Sequence, residues 1–178
     1  MKYFDELKKA MNLVAQNKNT IIIGQAVTYP GTAMTNTLSD IPKEKLLEFP
    51  VSEDMQMGVS IGMAMDGKIP ISIFPRWNFL LLAVNQMINH LEKIKQISNN
   101  QFLPKLIIRT GVGSQEPLHP QHQHIGDYTE AFKLMCNHID IIRLEEAKDI
   151  LSSYEKALNR TDNRPTILIE ISDYYNTK

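Results

Sequence analysis

Glu53 and Asp54 follow Pro50-Val51-Ser52 at what reads as the corner between a strand and a helix. Two carboxylates there can act in either of two ways. In a first helical turn they complement the positive end of the helix dipole and need no further role. Flanked by Phe49, Val51, Met55 and Met57, they also sit where an apolar setting disfavours the charged form, so Glu53 is a candidate to hold or share a proton near neutral pH. His119, His122 and His124, spaced HxxHxH in a loop, are the second group with acid–base capacity. Three imidazoles could take a metal ion, but Pro120 falls among them and no cysteine is near; a solvated polar loop accounts for the same residues. Trp77 and Phe79 offer faces for stacking or for core packing, and Arg76 beside them carries a guanidinium suited to a carboxylate or phosphate.

The elements that must position these groups alternate along the chain. Residues 1–17 have Phe4, Leu7, Met11 and Val14 at helical spacing, and Thr20-Ile21-Ile22-Ile23 is a short apolar run of the kind found in parallel strands covered on both faces. Residues 24–40 hold turn residues and little periodicity, which predicts a loop with at most a short helix. Strands are predicted over 45–49, 70–74, 105–109, 139–144 and 165–171, and helices over 54–65, 77–97, 128–137 and 145–159. Gly58 and Gly62, one turn apart, predict a close approach of that helix to a neighbour. The helix 77–97 has the widest apolar stripe and is expected to face a partner. Strands separated by helices imply right-handed crossovers and an α/β fold: three layers, doubly wound, with a mainly parallel sheet and helices on both faces.

At 178 residues the chain is expected to form a single domain, 1–178, with a core of ordinary size. With 19 basic and 20 acidic residues, the net charge of -1 gives no field to recruit nucleic acid or an acidic membrane, so a small molecule or a protein is the expected partner. One cysteine, Cys136, fits a reducing cytoplasm and excludes an internal disulfide. The amino-terminal segment lacks the apolar core of a secretion signal, and no run reaches membrane-spanning length. A plain nucleotide binder of the flavodoxin kind is not supported, since no glycine-rich phosphate loop joins a strand to a helix.

Taken together, Gly24-Gln25-Ala26-Val27, Pro50-Val51-Ser52-Glu53, Gly58 with Gly62 to Gly67, Trp77-Asn78-Phe79, Asn85-Gln86-Met87-Ile88-Asn89, Ile108-Arg109 and Pro120-Gln121-His122 form an ordered set across nearly the whole chain. The set resembles the pyrimidine-binding domain of thiamine-diphosphate enzymes of the transketolase-like superfamily. It is most similar to the amino-terminal domain of the beta subunits of pyruvate and branched-chain 2-oxoacid dehydrogenases. The resemblance implies that Glu53 hydrogen-bonds the aminopyrimidine ring nitrogen and so activates the cofactor. It implies that Phe79 packs on the pyrimidine face, with Trp77 walling the same pocket and Gln25 beside it, and that His122 faces the reacting end. Diphosphate and magnesium are implied to be held by an alpha-type partner chain, two of each kind in a heterotetramer, so no metal ligands are expected here.

Three departures from the resembled pattern shape the expectation. Gln25 stands where the beta subunits usually carry glutamate, and an amide cannot relay a proton between paired sites. Arg76 replaces a small or neutral residue and, with His119, is a candidate to bind a substrate carboxylate or phosphate. The chain ends soon after its last strand, where the family continues into a further domain, which favours a decarboxylase, carboligase or transketolase-like activity on a 2-oxoacid or ketose-type donor. A dehydrogenase beta-like subunit, or a binding or regulatory module that keeps the fold without the chemistry, are the alternatives.

Overall fold

Ile21, Ile22 and Ile23 set the centre of the molecule, because β-branched residues pack well on a pleated surface and a run without polar alternation has to be covered on both faces. In a computed structural model, which describes residues 2–113, 115 and 119–178, they form β1 (Thr20–Gly24). The further strands are β2 (Leu46–Glu48), β3 (Ile69–Ile73), β4 (Ile107–Val112), β5 (Asp140–Leu144) and β6 (Thr166–Ile171). They make one sheet in the order β2-β1-β3-β4-β6-β5, every neighbouring pair parallel. The chain leaves β1 towards β2 and returns to the other side of β1 to form β3. The switch point of the sheet therefore lies between β1 and β3, where open parallel sheets leave a crevice at their carboxyl ends.

Helices cover both faces, giving the expected three layers. On one face α1 (Tyr3–Gln16), the short α2 (Ala33–Asn36) and α7 (Ala147–Asn159) bury Leu7, Met11, Met34, Ile150 and Tyr154 against Ile22, Ile71 and Leu168. On the other, α3 (Glu53–Met65) and α6 (Thr129–Met135), with the segment between them, bury Met57, Ile61, Met87 and Phe132 against Ile108, Ile167 and Ile169. Residues 24–40 are mostly loop, and Thr32 caps α2 by accepting the Thr35 N–H at 3.0 Å.

Two sequence expectations are corrected. Residues 77–97 are not one regular helix but α4 (Trp77–Leu80), a 3₁₀ turn (Leu81–Ala83), a π-helical turn (Gln86–Leu91) and α5 (Ile94–Ile97). The buried positions explain this: Trp77, Leu80 and Ala83 recur every third residue and Ala83, Met87 and Leu91 every fourth. Keeping all five on the sheet requires tight winding first and looser winding after. Gly58 and Gly62 do not bring α3 close to a neighbour within the chain, since a Cβ at either would meet nothing within 4 Å.

A fully buried ion pair crosses the sheet. Arg109 of β4 donates from Nε to Glu170 Oε1 of β6 at 2.5 Å and from Nη2 to Oε2 at 3.0 Å, while its Nη1 reaches Thr37 Oγ1 at 2.9 Å. The Tyr154 hydroxyl donates to Glu170 Oε1 at 3.1 Å and the Tyr175 hydroxyl to Oε2. Burial pushes both phenols well above their usual range and Glu170 adds to it; burial alone would lower Arg109, but Glu170 raises it overall. The network joins α7, the loop after α2 and the carboxy-terminal turn Ser172–Tyr175 around the end of β4.

Candidate active site

The carboxyl ends of β1 and β3 approach closely. A Cβ on Gly24, the last residue of β1, would stand 2.8 Å from the Ile73 carbonyl oxygen, so only glycine fits. The chain then turns through Gln25 and Ala26, the latter at φ 54°. Glu48 at the end of β2 fixes this turn: its Oε1 accepts the Ala26 N–H at 2.6 Å, and its Oε2 accepts the Thr28 N–H at 2.9 Å and hydroxyl at 2.8 Å.

Glu53 opens α3 above this turn and is 5% exposed. One turn further on, Gln56 donates from Nε2 to the Ile73 carbonyl at 2.9 Å and to Ser72 Oγ at 3.1 Å, and Ser60 meets Ser72 Oγ at 3.0 Å. These buried bonds pin the start of α3 over the end of β3. Gln25 donates from Nε2 to Glu53 Oε1 at 3.0 Å. A neutral amide thus orients the carboxylate without adding charge, and among the described residues Oε2 has no hydrogen-bonding partner.

After β3 the chain reaches Arg76 and Phe79. Phe79 is half-buried, and its ring lies 5.1 Å, centroid to centroid, from that of His124 at 30°. Arg76 Nη1 donates to the His124 carbonyl at 2.9 Å. Burial lowers the Arg76 guanidinium from its usual value, with Asp173 opposing. His124 Nδ1 is buried and has no partner among the described residues. Asp173 also accepts the Gln115 N–H at 2.7 Å, tying the loop after β4 to the carboxy-terminal turn.

The structure therefore brings Gln25 and Glu53 together, and sets Phe79 and Arg76 against His124, the member of the HxxHxH group to which sequence reasoning assigned no separate role. His122 and His119 are exposed, the latter accepting the Gln121 N–H at Nδ1 from 2.8 Å. Trp77 is completely buried with its ring 4.7 Å from that of Phe132, so it supports the site from the core and presents no surface to a ligand. Among the described residues no three histidine, cysteine or acidic groups gather as a metal ion requires. Of residues 114–119, only Gln115 and His119 are among the described residues. Sequence reasoning also missed Glu48 and Asp173. A carboxylate at a strand end two residues before Pro50 was a usable signal for Glu48; nothing local marked Asp173.

Comparison with known proteins gives one consistent result. The profile of the family described as transketolase, pyrimidine binding domain, matches residues 1–176. The pyruvate dehydrogenase E1 component subunit beta of Gracilaria tenuistipitata var. liui is 28% identical over 98% of this chain and 54% of its own length. The 2-oxoisovalerate dehydrogenase subunit beta of Bacillus subtilis (strain 168) is 29% identical over 64% of this chain and 36% of its own. The chain thus spans about half or less of these two relatives. Among solved structures, a split gene transketolase described as an inactive beta4 tetramer superposes with a TM-score of 0.69 at 13% identity, over 95% of this chain and 51% of that one. The transketolase of Campylobacter jejuni does so with a TM-score of 0.72 at 15% identity, over 93% and 25%.

Proposed function

The chain belongs to the transketolase pyrimidine-binding domain family, and on that premise we propose that it is the pyrimidine-binding, beta-type half of a thiamine-diphosphate enzyme acting on a 2-oxoacid or ketose-type donor. The other half is an alpha-type subunit that holds the diphosphate and its magnesium, two chains of each kind making the assembly. The relatives named as beta subunits and the split transketolase support this division.

The observation that carries the reading is Glu53: a buried carboxylate at the sheet's switch point, one oxygen fixed by a neutral amide and the other uncommitted among the described residues. These residues fit an aminopyrimidine. When bound, thiamine diphosphate supplies a carbon nucleophile for a carbonyl and a sink for the electrons of the bond broken next to it. Glu53 Oε2 is assigned to hold the proton at the pyrimidine ring nitrogen, and Gln25 keeps that oxygen aimed. Phe79 provides the stacking face. His124, with its unpartnered Nδ1, is assigned to donate or accept a proton at the substrate. Arg76 holds His124 through its backbone carbonyl, which makes it a positioning residue first and a substrate anion binder second.

The test is to purify the chain together with the product of its neighbouring gene and titrate thiamine diphosphate with magnesium by calorimetry. The pair is expected to bind and neither chain alone. In the pair, Glu53→Gln should reduce turnover by about 10²-fold or more. His124→Ala should lower kcat more than His122→Ala. Arg76→Lys should lower kcat if it positions His124 and raise KM if it binds the donor. A panel of 2-oxoacids and ketose phosphates identifies the donor. Failure of any partner to co-purify, with no cofactor binding, would leave the non-catalytic module as the better reading.

A further inference from the structure

At the opposite end of the sheet from Glu53, the π-helical turn, α5 and the turn entering β5 border an open pocket of about 630 Å³, within the range of small-molecule sites. Its lining carries two lysines, Lys93 and Lys95, and the amide side chains of Gln96, Asn99, Asn100 and Asn137. Ile88 and Met135 give it an apolar wall. The one acid, Glu92, is already engaged, accepting the backbone N–H groups of Asn137 and His138 at 2.7 Å and of Ile139 at 3.0 Å. Lys95 forms no ion pair among the described residues, and Lys93 meets only the neutral Asn89 Oδ1 at 3.1 Å. His138 Nε2 is buried and without a partner among the described residues, and burial, with Lys95 and Arg164 nearby, lowers its pKa, so the ring is neutral at pH 7 and able to donate or accept.

The fold keeps the amides of this wall free. The N–H of Asn100 bonds the Lys95 carbonyl at 2.8 Å and that of Asn99 the Gln96 carbonyl at 3.1 Å, the closing pattern of a helix end, with both residues at positive φ. Their backbone groups close α5, which leaves the side-chain amides to the cavity. Lysines without acidic partners suit an anion, while uncharged amides and a neutral imidazole suit hydroxyl groups.

We propose that this cavity binds an anionic, hydroxyl-rich small molecule of the sugar phosphate or sugar acid class, its anion held by Lys93 and Lys95 and its hydroxyls by the asparagine amides and His138 Nε2. The site needs nothing from the thiamine reading and stands or falls apart from it. Its ligand sits on the same segment, residues 77–97, whose first turn carries Phe79.

The experiment is an NMR titration of the ¹⁵N-labelled full chain with glucose 6-phosphate and with gluconate, using glucose and inorganic phosphate as controls. Saturable shifts of the amides of residues 92–100 and 137–139 are expected, with whichever of the two anions binds tighter setting the class. The double variant Lys93→Ala/Lys95→Ala, which alters one exposed and one half-buried side chain, should weaken the affinity by about tenfold or more. His138→Gln should weaken it less, because it restores a polar group. Absence of saturable shifts, or shifts that persist in the lysine variant, would overturn the site. Equal affinity for inorganic phosphate alone would overturn the hydroxyl-bearing class.

Discussion

Gln25 is the residue whose replacement says most about Glu53. Gln25→Leu leaves a buried carboxylate without its donor, and a loss of about 1–3 kcal/mol in urea denaturation is expected. Gln25→Glu places two carboxylates within hydrogen-bonding distance, so one must take up a proton with a raised pKa. The folded state then binds more protons than the unfolded chain near neutral pH. Stability of the variant relative to wild type should be greatest in mild acid and fall as pH rises through that raised value; equal deficits at pH 5 and pH 8 would contradict this. Cys136 offers a second check. Burial, and then Glu92, push its thiol up to about 12, so a thiol reagent at pH 8 should leave the native chain unmodified and react on unfolding. Its neutral form favours the fold fully below 9.0, and that contribution is lost as pH rises towards about 12. At this scale Glu53 was legible because a strand end, a proline and a helix start fix where its side chain must be. His124 was not: in a HxxHxH loop, sequence spacing does not say which imidazole turns inward, and the contacts with Arg76 and Phe79 that decide it come from residues 45 and more away in the chain.

Among the elements, the segment from Trp77 to Ile97 was recognised as helical from its apolar stripe, yet its change from 3₁₀ to π winding follows from the uneven spacing of Trp77, Leu80, Ala83, Met87 and Leu91. A period averaged over twenty residues conceals that change. The π-helical turn leads directly into Glu92, whose carboxylate caps three backbone N–H groups at the entry to β5. Glu92→Ala should therefore cost about 1–3 kcal/mol and expose the amides of residues 137–139 to faster hydrogen exchange. Exchange protection unchanged at these three positions would show that the cap is dispensable. The strands were placed to within one to three residues because each is rich in isoleucine, leucine or valine, the composition that a sheet covered on both faces favours.

For the whole molecule, alternation of strands and helices was sufficient to predict a parallel three-layer sheet, but not that β6 enters between β4 and β5. In that order Arg109 of β4 meets Glu170 of β6, two residues 61 positions apart in the chain. Arg109→Met strands a buried carboxylate and should cost about 3–5 kcal/mol, whereas Arg109→Met with Glu170→Met should recover much of that loss. A double variant no more stable than the single one would mean that the tyrosines and Thr37, and not the charge pair, hold the network. The two rims of the sheet carry a different consequence. β2 offers only three residues between Lys45 and Phe49, and β5 carries Asp140 and Arg143, both engaged in ion pairs. Short or charged rims are poor templates for strand addition, so this chain is guarded against growing into fibrils edge to edge. The exposed apolar side chains Met55, Val59 and Leu82 lie instead on helical segments, away from both rims.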